Sequence, residues 1–226
     1  MNTLIFYLSR LVVLIFILPA HEFAHAYAAH LNGDDTAKYS GRMTLNPLKH
    51  FDPVGLVCFL LVGFGWAKPV PVNPWNYKHY KKGCFWISVA GVLTNLLLAF
   101  LSFPLYLICL NFAGGLGLFG KFLTMVFYWG FALDLSFCVF NLIPVYPLDG
   151  FRLVDAFSKK RGKVYNFLRV YGHYILLGLI LLSTVADMIP QLAFLDIFGY
   201  LMNFVVNIVG YPITAFWDMI FRLIFG

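Results

Sequence analysis

The 226-residue chain is 61% hydrophobic and only 12% charged, against about 45–50% apolar and about 25% charged residues in an average soluble domain. That balance excludes an ordinary soluble domain, and uncharged runs such as 84–112 exceed the ~20 residues needed to cross a bilayer core. The net charge of +6 is not a nucleic-acid signature, because the basic residues gather in two loops.

In chain order, the first apolar run covers about Leu4 to Ala29. It lacks a basic leading segment and a small-x-small cleavage site, so it is read as a retained span rather than a removed signal peptide. A polar stretch follows, "NGDDTAKYSGRMTLNPLKHFD", rich in Gly, Asn and Asp as loops are. Pro53 to Ala67 is apolar but has only 15 residues, with Gly55, Gly63 and Gly65 among them, and reads as a re-entrant or interfacial segment. Pro69, Pro71 and Pro74 in "KPVPVNPWNYKHYKK" exclude helix and favour an extended strand or loop.

Further spans are expected from Cys84 to Phe112, from Phe122 to about Val145 and from Val170 to Ile189. The stretch from Ile197 to Trp217, interrupted by Asn203, Asn207 and Pro212, reads as a further span or an aromatic-rich interfacial helix. The expected fold class is therefore an all-α multi-pass membrane protein, a bundle of about five or six transmembrane helices with a short re-entrant or extended segment. Cys58, Cys84, Cys109 and Cys138 are scattered without a C-x-x-C pair, which suggests neither a disulfide framework nor a cysteine metal cluster.

The basic residues give an orientation. Lys38, Arg42, Lys49, Lys68, Lys78, Lys81 and Lys82 fall in one loop region, and Arg152, Lys159, Lys160, Arg161, Lys163 and Arg169 in another. The loop between 112 and 122 offers only Lys121. The positive-inside rule then puts both basic loops in the cytoplasm and the N-terminus outside, with Arg10 slightly against it. On that topology the segments 18–30 and 141–150 arrive at similar depth near the cytoplasmic face.

Both segments are polar where lipid would favour the opposite. "HEFAH" places His21 and His25 four residues apart, about 40° of rotation on a helix, so both imidazoles share a face with Glu22 beside it. This is H-E-x-x-H, in which two histidines hold zinc and the glutamate is a general base. A charged group at mid-membrane costs about 2.5–3.5 kcal/mol on insertion scales, which marks such residues as functional candidates. His30 falls on a different face and reads as interfacial. A third ligand is needed, and the candidate is Asp149 in "NLIPVYPLDG", where Pro144 and Pro147 break the helix and Gly150 permits a tight turn. A helix-capping role is the plain alternative for Asp149. His50, His79 and His173 read as ordinary loop or interface residues.

"HEFAH" followed by "FNLIPVYPLDG" resembles the site-2 protease family of intramembrane zinc metalloproteases, and "MTLNPLKHFDPVG" and "GFGWAKPVPVNP" resemble its compact bacterial and archaeal branch. The likeness covers roughly residues 10–155. It implies His21, His25 and Asp149 as ligands of a single Zn²⁺ per chain and Glu22 as the catalytic base. The expected organisation is a single domain over 1–226, with a catalytic core at about 4–155 and C-terminal helices at 170–226, since the PDZ or other regulatory modules of larger relatives have no room here. Where the family often has Gly-Pro-x-x-Asn, this chain reads "GVLTN", with Val92 in the proline's place. Asn95, and Asn141 at the head of the later motif, are candidates for supporting substrate or transition state. Asp134 stands where the family leads one to expect a neutral amide, and reads as a hydrogen-bonded residue of the bundle. For "KPVPVNP" the likeness suggests an edge that pairs with an unwound substrate; a plain cytoplasmic loop is the alternative.

The expected function is hydrolysis of peptide bonds in or near the membrane segment of a single-span protein, in the cell membrane, with the active site toward the cytoplasm and no nucleic-acid partner. A pseudo-enzyme that grips helices without cutting them would not need Glu22. A divalent-ion transporter would need a polar path outward, and the outer halves of the spans are almost wholly apolar.

Overall fold

The computed structural model describes residues 2–62, 65–158 and 161–225. Gly63 of the expected re-entrant segment, and Lys159 and Lys160 of the second basic loop, lie outside the described residues. The helices are α1 (Asn2–Leu31), α2 (Thr36–Tyr39), α3 (Pro53–Val62), α4 (Tyr80–Phe112), α5 (Gly117–Asn141), α6 (Asp149–Phe157), α7 (Lys163–Met188) and α8 (Ile197–Phe225). Among the described residues, four stretches are long and apolar enough to cross a membrane, and the second, Tyr80–Asn141, holds both α4 and α5. The protein is an all-α membrane protein, as its composition implies.

Several boundaries differ from those read in the sequence, each for a local reason. α5 stops at Asn141 rather than near Val145, because the residue before Pro144 is biased away from helix. α7 begins at Lys163, since Lys163 and Arg169 can occupy its first two turns with their charges outside the apolar region. α8 runs unbroken through Pro212. The short apolar segment forms α3 and then returns, so that Ala67 bridges Phe51 and Lys68 N–H donates to His50 O at 2.8 Å.

α1, α4 and α5 form the central layer. Val13, Leu14 and Ile17 of α1 pack against Leu98 of α4 and Val126 and Leu133 of α5. In a bilayer such packing gains from close approach rather than from expelling water. Small residues supply it: Ala99 is fully buried, and a Cβ on Gly130 would come within 2.9 Å of Ser102 Oγ. Ala99, Phe103 and Leu107 of α4 meet Leu135 of α5 and Ile213 of α8, which closes one side of the core. The charge on Arg10 is met by aromatic faces, its guanidinium carbon lying 5.3, 5.1 and 4.9 Å from the rings of Phe6, Phe59 and Trp129.

Candidate metal centre

Each element brings one part of the site. α1 presents His21 and His25 one turn apart, toward α4. The proline-broken connection after α5 folds back sharply, because Gly150 lies so close to Leu142 and Ile143 that a Cβ would meet their carbonyl oxygens at 2.3 and 2.6 Å. That turn starts α6 with Asp149 at its first residue, under the two imidazoles.

His21 Nε2 and His25 Nε2 are 3.0 Å apart, and Asp149 Oδ2 lies 3.4 and 3.0 Å from them. All three residues are buried. His25 Nδ1–H donates to the Ile87 carbonyl at 2.6 Å, and His21 Nδ1 lies 2.5 Å from Asn95 Oδ1. Both Nε2 atoms are thus turned to the same point. Asp149 Oδ1 is 3.4 Å from Arg152 Nη1, whereas its buried Oδ2, among the described residues, accepts no hydrogen bond and faces only the two imidazole nitrogens.

A divalent ion fits this donor set. Bonds of about 2.0–2.1 Å to nitrogen or oxygen in a tetrahedral site separate neighbouring ligand atoms by about 3.3 Å, close to the 3.0–3.4 Å found here. Three donors and an open fourth position are the pattern of catalytic rather than structural zinc. The partnerless Asp149 Oδ2 is the buried atom that a cation would satisfy. Space for the imidazoles comes from Gly91 of α4, where a Cβ would sit 2.6 Å from both His21 Cε1 and His25 Nε2.

Glu22 is half-buried beside the histidines, and its Oε2 accepts the Val70 N–H at 2.8 Å. The segment carrying Val70 forms no strand among the described residues. It is fixed at several points: Arg42 Nη2 donates to Lys68 O at 2.5 Å, and Val70 packs with Ala26 and Ala37. Asp34, fully buried, accepts from Asn73 N–H at 2.6 Å, Asn76 Nδ2 at 2.9 Å and Thr36 Oγ1 at 2.5 Å. Burial raises the Asp34 carboxyl, but these hydrogen bonds outweigh it and hold the group below the usual carboxylate range.

His21, Glu22 and Asn95 line a cavity of about 490 Å³ that continues between Phe137 and Asn141 on α5 and Leu176 to Ile180 on α7. His173, read in the sequence as an ordinary interface residue, is on its wall. Asn141 is there too, with its amide donating to Phe137 O of its own helix at 3.1 Å. His50 is fully buried, with Nε2 donating to Thr44 O at 2.7 Å, a structural anchor for the loop. His30 pairs with Asp35 away from the site. Val70, Gly91 and Arg152 carry parts of the geometry that sequence reasoning missed. Each left a partial signal: Gly91 opens the "GVLTN" stretch, Val70 lies in "KPVPVNP", and Arg152 stands three residues from Asp149 on one helix, but none of these patterns gives the contact itself.

A helical membrane protein in which two imidazoles and a carboxylate converge on one point, with a glutamate next to one of the histidines in the chain, has the make-up of a metalloprotease. Residues 117–185 match the profile of "Peptidase family M50". "Putative zinc metalloprotease YwhC" of Bacillus subtilis (strain 168) is 44% identical over 147 residues, covering 64% of this chain and 66% of that protein. "Putative zinc metalloprotease Rip2" of Mycolicibacterium smegmatis is 27% identical over 211 residues, covering 89% of this chain and 77% of that protein. No solved structure gives a significant match. The chain belongs to peptidase family M50, the family of the site-2 proteases. Its match spans about two thirds of YwhC's length.

Proposed function

We propose that the protein hydrolyses peptide bonds within or next to the transmembrane segment of a single-span membrane protein. His21, His25 and Asp149 would hold a single Zn²⁺ per chain, and the bound ion would supply Lewis-acid polarisation and make water acidic enough to lose a proton near neutral pH. Glu22 accepts that proton and delivers it to the leaving amine, base first and then acid. The Val70 N–H holds Glu22 Oε2, which leaves Oε1 for proton transfer. The apolar walls of the cavity, Phe137, Leu176 and Ile180 among them, take the substrate and exclude bulk water. The protein sits in the cell membrane with this site toward the cytoplasm and its N-terminus outside, as its basic loops suggest.

The observation that carries this reading is the partnerless Asp149 Oδ2 facing two Nε2 atoms beside Glu22, at the edge of an apolar cavity. The test is zinc content and cleavage of single-span substrates by the purified protein and by Glu22→Gln. Both should carry zinc, and the variant should cleave about 10²–10⁴-fold more slowly. Zinc in both without cleavage in either would favour a helix-binding role instead, and zinc in neither would overturn the ligand assignment.

A further inference from the structure

We propose that Asp134 is a positioning residue that fixes the tautomer of His21 through Asn95. The proposal rests on the metal-centre reading above. Asp134 on α5, Asn95 on α4 and His21 on α1 form one buried chain across the three central helices: Asn95 Nδ2–H donates to Asp134 Oδ1 at 2.8 Å, and Asn95 Oδ1 stands 2.5 Å from His21 Nδ1. Asp134 and Asn95 are each 1% exposed.

The two histidines face different problems. His25 Nδ1 meets a backbone carbonyl, which can only accept, so its proton sits on Nδ1 and the lone pair on Nε2 is free for a metal. His21 Nδ1 meets a side-chain amide, which presents either an acceptor oxygen or a donor NH₂ depending on how it is turned. With the NH₂ outward to Asp134, the oxygen faces His21 and keeps the proton on Nδ1. With the amide turned over, its NH₂ would face Nδ1, the proton would move to Nε2, and the metal-facing lone pair would be lost. Asp134 accepts from the NH₂ through its Oδ1 and so holds the first arrangement. This gives a buried acid in an apolar helix a use that hydrogen bonding within the bundle alone does not require.

The test measures zinc affinity by competition with a chelating indicator for the parent, Asp134→Leu, Asp134→Asn, Asn95→Leu and the double leucine variant. Asp134→Leu should weaken zinc binding by about 10–100-fold. Asp134→Asn, whose amide oxygen can still accept from Asn95, should stay within a few-fold of the parent. Because Asp134 acts through Asn95, adding Asp134→Leu to Asn95→Leu should cost nothing more. Independent, multiplying losses, or parent-like affinity in Asp134→Leu, would overturn the proposal. Nitrogen NMR of the zinc-loaded parent needs no variant to fold, and should find His21 bound to the metal through Nε2 and protonated at Nδ1; an unprotonated Nδ1 would overturn it too. A parent that binds zinc but cleaves nothing overturns the protease reading and leaves this one standing, whereas a parent that binds no zinc removes both.

Discussion

The backbone N–H of Val70 donates to Glu22 Oε2 at 2.8 Å, joining residues 48 positions apart. Val70 lies between Pro69 and Pro71, neither of which has an N–H, so it is the sole backbone donor of that tripeptide. The proline-rich segment thereby orients the glutamate that the proposed reaction uses as its base. Its other anchors, through Arg42 and Asp34, keep that donor in place.

Replacing Val70 by proline removes the donor while keeping an apolar side chain. A hydrogen bond to a charged group is worth about 1.5–3 kcal/mol, so cleavage should slow by roughly 10–100-fold. Zinc content should not change, because no ligand is touched. Parallel assays of metal content and turnover check this, and loss of zinc would show that the segment supports the ligands instead.

Gly91→Ala should disrupt the site directly. The new Cβ would fall 2.6 Å from His21 Cε1 and His25 Nε2, and such overpacking costs about 1–3 kcal/mol. Zinc content and melting temperature in detergent should both drop. Gly114→Ala, where a Cβ meets nothing within 4 Å, is the control and should change neither.

Asp34 gives a pH dependence of known sign. Its carboxyl is held below the usual range by Thr36, Asn73 and Asn76, against the effect of burial. A depressed folded value contributes stability above the unfolded value of about 4, and that contribution is lost as pH falls through the folded one. Asp34→Asn should therefore destabilise the protein by about 1–3 kcal/mol at pH 7. The gap in melting temperature between parent and variant should be constant above about pH 4 and narrow below it. A gap that widened on acidification would contradict the assignment.

Much of the fold was legible because lipid leaves a strong mark: long apolar runs separated by polar, proline-rich or basic stretches give the spans, and the four-residue spacing of His21 and His25 gives a shared helix face. The prolines at 144 and 147 marked a break beside Asp149, but not how tightly Gly150 folds against Leu142. What stayed hidden is long-range. No local pattern says that Val70 N–H reaches Glu22, that Gly91 opens room for two imidazoles, or that Asp134 and His21 share Asn95. Such pairings depend on which helices adjoin and at what rotation, and sequence periodicity within one helix contains neither. The start of α7 was misplaced because charged first turns look like loop in a chain whose other helices are almost uncharged.

The most direct measurement is mass spectrometry of the fragments that the purified protein releases from a single-span substrate, before and after zinc is removed with a chelator and then restored. The predicted result is a new pair of termini within or beside the substrate's apolar segment, lost with the metal and recovered with zinc. Cleavage that persists without metal, or zinc-loaded protein that leaves every such substrate intact, would contradict the assignment of an intramembrane metalloprotease.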